Sequence, residues 1–205
     1  MSGGATKQAV RELVRARMAA LGDAAWNHAA EGIAARLLEL GAQRGWRAWM
    51  VFLPMARAER GRDEVDLTGL VQGLLGAGGV RVCLPRTDWQ SMTLEPVAVE
   101  NLSTDIVVGR YSLREPRADL LPLALGDLDV VIVPGLAFDS TGARLGRGGG
   151  LYDRLLARVA GLPAGNRPVS VGVCVDEQVV EKVPVEAHDL RVDMILTPTT
   201  ILRGA

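Results

Sequence analysis

The sequence predicts one doubly wound α/β domain over residues 1–205: three layers, with a mostly parallel sheet and helices on both faces. Three observations carry this. Apolar runs at 47–54, 80–86, 126–135, 168–175 and 192–198 are nearly continuous rather than alternating, as strands covered on both sides must be. Segments with helical periodicity lie between them, the alternation that builds parallel sheets. The strongest strand run, GDLDVVIVPG (126–135), opens into a glycine cluster that abuts another helical segment. A chain of 205 residues, 48% hydrophobic, suffices for one large core.

The elements follow in order. Residues 6–21 carry Val10, Leu13, Val14, Met18 and Leu21 at helical spacing, with Lys7, Arg11 and Arg15 on the opposite face. Trp26, Ala30, Ile33, Leu37 and Leu40 mark a second helix, with Gly41 as its expected stop. RAWMVFLP (47–54) reads as a buried strand ended by proline. RDEVDLTGLVQGLLGAGG gives a polar loop, a helix near 66–76 and a glycine stop. VRVCLPR (80–86) is the next strand, again ended by proline. MTLEPVAV (92–99) reads as an edge strand, Pro96 marking an edge position or a bulge. Residues 103–127 look irregular and are too few to separate two domains. After the strand at 126–135 come a helix at 151–160, a strand PVSVGVCV (168–175) and a short closing strand VDMILTP (192–198).

Composition narrows the function classes. A net charge of -1 and 4% aromatics argue against a nucleic-acid binder. Basic residues are lopsided, 21 Arg against two Lys, Lys7 and Lys182. Cys83 and Cys174 sit in apolar runs and read as reduced core thiols. MSGGATKQAVREL lacks an apolar signal core, and no run reaches the ~20 apolar residues of a membrane span. The expectation is a soluble, cytoplasmic, monomeric protein with no membrane partner.

The stretch GLAFDSTGARLGRGGGLYDRLLAR (135–158) places four glycines within positions 146–150. Ligands of open α/β sheets bind beyond the carboxyl ends of the strands. A glycine loop entering a helix presents successive N–H groups, reinforced by the helix dipole. Arg144 and Arg147 can add charge-assisted hydrogen bonds. Asp153, in the first helical turn, suits the dipole and can hold Mg²⁺ beside a triphosphate. Neither G-x-x-x-x-G-K-[ST] nor G-x-G-x-x-G fits the glycines. Residue chemistry therefore gives an anion site, with a flexible loop before a solvated helix start as the alternative.

The pattern GxRLGxGxGxYD, filled by Gly142, Arg144, Leu145, Gly146, Gly148, Gly150, Tyr152 and Asp153, resembles the 5-formyltetrahydrofolate cyclo-ligase (methenyltetrahydrofolate synthetase) family. Segments KQAVR, RDEVDLTGLV, CLPR, GRYSLREP, VIVPGLAFD and VPVEAHDLRVDMILTP resemble further family segments in the same order, nearly end to end. The resemblance implies conversion of 5-formyltetrahydrofolate to 5,10-methenyltetrahydrofolate with ATP and Mg²⁺. ATP phosphorylates the formyl oxygen, N10 closes the ring, and ADP and phosphate leave.

The resemblance also implies residue roles. Lys7, Arg11, Arg144, Leu145, Gly146, Arg147, Gly148, Gly149, Gly150 and Tyr152 would bind ATP. Arg11, Glu64, Glu115, Arg147 and Leu151 would bind the folate. Arg147, Tyr152 and Asp153 would be catalytic, and Asp153 with Asp193 would hold the metal. Plainer readings stand beside some of these. Lys7 and Arg11 form a basic helix face, Glu64 is one of three acids before a helix, and Asp193 is a charge at a strand start. Two departures mark this chain. Leu151 replaces the family's usual aromatic, a lost stacking surface worth ~1 kcal/mol. ARAERGRD (56–63) is long and Arg-rich ahead of Glu64. His188 receives no role. A non-catalytic folate- or nucleotide-binding relative is the alternative reading.

Overall fold

A computed structural model describes residues 6–55, 63–186 and 189–204. The Arg-rich stretch at 56–62 and His188 lie outside the described residues. Helix α1 (Lys7–Ala19) starts where the Thr6 hydroxyl accepts the Ala9 N–H, and it buries Val10, Val14 and Met18. Helix α2 (Asp23–Arg44) runs through Gly41 and ends at Gly45, whose φ of 69° is left-handed. Gly41 is therefore no stop. A Cβ there would fall within the indole of Trp49, so the glycine serves a close approach of helix to sheet.

Strand β1 (Ala48–Met50) is followed by helix α3 (Thr68–Ala77), then β2 (Arg81–Asp88) and β3 (Thr93–Val99). The expected irregular stretch holds a two-stranded ribbon, β4 (Ile106–Val108) and β5 (Arg114–Pro116). Then come β6 (Val130–Pro134), a short hairpin of β7 (Ala137–Asp139) and β8 (Arg144–Leu145), and helix α4 (Leu151–Ala160). Strands β9 (Val169–Val173), β10 (Val179–Val180), β11 (Met194–Leu196) and β12 (Ile201–Arg203) close the order.

Among the described residues the main sheet has seven strands, ordered β12-β11-β9-β6-β1-β2-β3. Its five inner strands are parallel, and the edge strands β3 and β12 are antiparallel. Pro85 does not end β2, which continues to Asp88 opposite β3. It is tolerated because β1 pairs only with Arg81–Cys83, leaving Pro85 without a ladder on that side. The hairpin partner β12 lies beyond the strand expected at 192–198.

Residues of the central strand alternate between two cores. Val130 and Ile132 pack with α1, α2 and α3 residues such as Val14, Ile33, Leu37 and Val71. Val131 and Val133 pack with Leu155, Leu156 and Val159 of α4. The sheet is thus covered on both faces, as continuous apolar strands require. Cys83 and Cys174 are free and buried, and burial raises both thiols, Cys83 to about 11. No described helix is long and apolar enough to cross a membrane.

Candidate functional site

Strand order reverses at β1 and β6: β2 and β3 lie to one side, β9 and β11 to the other. Such a switch point leaves a crevice beyond the strands' carboxyl ends. Phe52, Leu53 and Met55, following β1, and Pro134 and Gly135, ending β6, line a cleft there.

The glycine loop is held from behind. Strands β7 and β8 pair Ala137 with Leu145 and Phe138 with Arg144. The buried Asp139 carboxylate accepts from the Thr141 N–H and hydroxyl and from the Ala143 and Val183 N–H groups. Burial alone would raise its pKa; these hydrogen bonds outweigh it and hold the carboxyl below its ordinary value. From this anchor the chain crosses Gly148 (φ 108°) and Gly150 (φ 67°), where a side chain is strained, and enters α4.

Two clefts meet at this loop. The first is mostly apolar, with Phe52, Leu53, Pro85, Leu94, Leu113 and Leu151 on its walls and Glu64, Glu115, Arg147 and Tyr152 among its polar groups. The second is polar and lined by Lys7, Arg11, Arg144, Leu145, Gly146, Gly148, Gly150, Asp153, Arg154 and Asp189. Arg144, Gly146, Gly150 and Asp153 face both. Arg147, Gly149 and Tyr152, also expected at ATP, line the apolar cleft and not the polar one.

Arg144 is 7% exposed. Its guanidinium donates to the Pro134 carbonyl at 3.2 Å and to Asp153 Oδ1 at 2.5 Å, and its carbon lies 5.9 Å from the Tyr152 ring centre. Its Nε and the Nε of Arg11 are buried without a partner. Unpaired buried donors are costly. Two of them on the polar cleft's own arginines fit an anion with several acceptor oxygens.

In the apolar cleft, Arg147 reaches Glu64 at 3.3 Å and Asp63 at 3.8 Å. Glu64 also accepts from the Met55 N–H. Burial raises the Glu64 carboxyl above its ordinary value, and Arg147 offsets only part of this. Glu115 accepts from the Thr87 N–H at 2.9 Å, which ties β5 to β2 across the cleft. Burial, and then the Glu64 charge, push the Tyr152 hydroxyl upward, so it stays a proton donor.

Lys7 is held by Asp189 at 2.7 Å and Glu186 at 3.0 Å, and the Asp189 hydrogen bond raises its pKa. Asp193 is not brought together with Asp153. It sits at the amino end of β11, level with Ser170, where its carboxylate accepts from the Ser170 N–H and hydroxyl and pairs with Arg167. It lines a separate depression with Arg44 and Arg203 and shares no wall with Asp153. Strand direction decides this, since a parallel strand's amino end points away from the crevice. Asp189 and Arg154 were missed. The segment YDR contained Arg154, and the closing segment contained Asp189 four positions before Asp193. Among the described residues no three His, Cys, Asp or Glu side chains gather as a metal cluster. Mg²⁺ does not need one, since one or two carboxylates plus phosphate oxygens suffice. Asp153, between the two clefts, fits that mode.

The model of the 5-formyltetrahydrofolate cyclo-ligase family matches residues 4–198. The Escherichia coli K12 5-formyltetrahydrofolate cyclo-ligase is 36% identical over 146 residues, covering 67% of this chain and 74% of that protein. The Mycolicibacterium smegmatis enzyme of the same name is 37% identical over 58% of this chain and 61% of its own length. The Saccharomyces cerevisiae one is 45% identical over 43% and 41%. The matched segments thus span less than two thirds of these last two relatives. The solved Aquifex aeolicus 5,10-methenyltetrahydrofolate synthetase has a TM-score of 0.78 at 28% identity, covering 96% of this chain and 92% of its own. The Mycoplasma pneumoniae structure, at 17% identity and a TM-score of 0.69, shares the fold. A family match over nearly the whole chain, on a fold shared with a solved synthetase, makes this protein a member of the 5-formyltetrahydrofolate cyclo-ligase family.

Proposed function

We propose that the protein converts 5-formyltetrahydrofolate to 5,10-methenyltetrahydrofolate, consuming ATP in the presence of Mg²⁺. The observation that carries this reading is the wall shared by the two clefts. The reaction joins a flat heterocycle to a polyphosphate, and its one transferred group must lie where the two sites touch. An apolar cleft with a carboxylate at Glu64 suits a pterin, whose 2-amino and N3–H groups are neighbouring donors. A polar cleft with Lys7, Arg11 and Arg144 suits a triphosphate.

The formyl oxygen attacks the γ-phosphorus and ADP leaves. N10 then attacks the formyl carbon and gives up its proton to the departing phosphate, which carries off the former formyl oxygen. Phosphorylation is needed because an amide-like oxygen is a poor leaving group. Arg144 and the Gly146–Gly150 N–H groups stabilise charge on the transferred phosphoryl. Arg11 stands beside them with its unpaired Nε. Asp153, braced by Arg144, would hold Mg²⁺, which when bound neutralises the phosphate oxygens. Tyr152 donates its proton toward the reacting centre, and Glu115 and Leu151 shape the folate wall. The apolar lining keeps water from the phosphorylated intermediate.

The test is a direct assay. Purified protein, 5-formyltetrahydrofolate, ATP and Mg²⁺ are mixed, and the near-ultraviolet chromophore of the methenyl product is followed. ATP-dependent product that is lost in Asp153→Ala supports the reading. Folded protein that binds both ligands without product rejects turnover and leaves a binding protein. We expect the chain to act as a cytoplasmic monomer.

A further inference from the structure

We infer that Arg154 is a positioning residue that couples the nucleotide cleft to the folate cleft, so that filling one tightens the other. The inference rests on the proposed function for the identity of the two ligands. Its structural basis is separate. Arg154 lies one residue past Asp153, in the first turn of α4, and lines the polar cleft. Its Nη2 donates to the Gly149 carbonyl at 2.9 Å, within the glycine loop. Its Nε donates to the Met92 carbonyl at 2.6 Å, at the tip of the hairpin joining β2 and β3. One planar guanidinium therefore bridges a loop whose Gly148 and Gly150 line the polar cleft and the hairpin whose Pro85, Thr87 and Leu94 form the apolar wall.

The hairpin end of the bridge is unusual. Met92 holds φ at 55°, a left-handed value that is uncommon outside glycine. The loop end is equally constrained, because Gly149 sits between two positive-φ glycines, and a Cβ on Gly150 would stand 3.2 Å from the Arg154 guanidinium. Both ends are main-chain carbonyls, so a shift of either segment acts on the arginine directly. Arg158, one turn further along α4, donates to the Leu94 carbonyl at 2.8 Å but has no bond to the loop. It holds the same hairpin without the bridge and so separates coupling from simple support.

The experiment is calorimetric titration of 5-formyltetrahydrofolate into the protein, with and without Mg²⁺ and a non-hydrolysable ATP analogue. In the unaltered protein the analogue should tighten folate binding by a factor within the usual range for coupled sites, about 5- to 150-fold. Arg154→Met should bring that ratio to within about twofold of one, whatever it does to the separate affinities. Arg154→Lys, which cannot span both carbonyls, should give an intermediate ratio. Arg158→Met should retain the coupling. The inference is overturned if Arg154→Met keeps the full ratio, if Arg158→Met abolishes it equally, or if unaltered protein binds both ligands independently. Failure of unaltered protein to bind folate or nucleotide at all is a different result. It overturns the functional reading, and this inference with it.

Discussion

Replacing Arg144 by Met should lower stability and nucleotide affinity together. The side chain is 4% exposed, and Asp153 keeps 30% of its side-chain surface. Removing one partner of a buried pair costs about 3–5 kcal/mol. Water reaches Asp153, so the lower end applies. The Pro134 carbonyl also loses a charged donor, about 1.5 kcal/mol. Methionine restores apolar contact worth about 1 kcal/mol. The net loss is about 3.5 kcal/mol. At a urea slope of about 3 kcal/mol per molar, the unfolding midpoint should fall by about 1 M. Losing a charged hydrogen bond to phosphate, about 1.5–3 kcal/mol, should weaken ATP binding by roughly ten- to a hundredfold by calorimetry. Arg144→Lys keeps the charge but cannot serve Pro134, Asp153 and phosphate at once, so it should recover only part of either loss. A double-mutant cycle with Asp153→Asn should give a coupling energy of about 1–3 kcal/mol. A Met variant that unfolds at the wild-type midpoint and binds ATP within twofold would refute the reasoning.

Glu64→Gln probes the raised Glu64 pKa. The folded state binds this proton more tightly than the unfolded state does. Wild-type stability therefore falls as pH rises from the ordinary 4.5 through the raised folded value. The Gln variant lacks that loss, so its stability relative to wild type should rise across that window in urea melts at several pH values. In the same window KM for folate should fall with pH in wild type as the carboxylate forms, and stay flat in Gln. Leu151→Phe should restore a ring contact and tighten folate by ~1 kcal/mol, roughly fivefold, in equilibrium titration. Asp193→Asn should lower the urea midpoint, since Ser170 and Arg167 lose their charged acceptor, while kcat and the Mg²⁺ requirement hold; loss of Mg²⁺ dependence would return Asp193 to the metal.

Much of the architecture was legible because its signals are local. Helix α4 begins at Leu151, as its periodicity predicts, and β6 is the central strand that its run of valines demands. Gly41 misled for a physical reason. A glycine that ends a helix and one that admits an indole look alike in one dimension, and only the approach of Trp49 separates them. Strands β7, β8, β10 and β12 span two or three residues each, too short to show a period of two. The glycine loop was legible as a strand-to-helix turn lining a cleft because its residues are contiguous. Asp193 lies apart from Asp153 because of strand polarity, which a residue list does not display: it begins a parallel strand, and the crevice lies at the other end. Arg154 and Asp189 were out of reach because their contacts with the Met92 carbonyl and the Lys7 ammonium span 62 and 182 positions.

The ion pair between Lys7 and Asp189 joins residues 182 positions apart. The polar cleft is thus assembled from the two extremes of the described chain. A partly exposed pair contributes about 0–1 kcal/mol and cannot close so long a loop alone. The ring closes because Val10 and Val14 of α1 are buried against the core. The entropy of that closure grows only logarithmically with length. During synthesis, a growing chain therefore carries its glycine loop for some forty residues before the lysine gains its counter-charge. The polar cleft therefore gains the last of its lining residues only when Asp189 has been made.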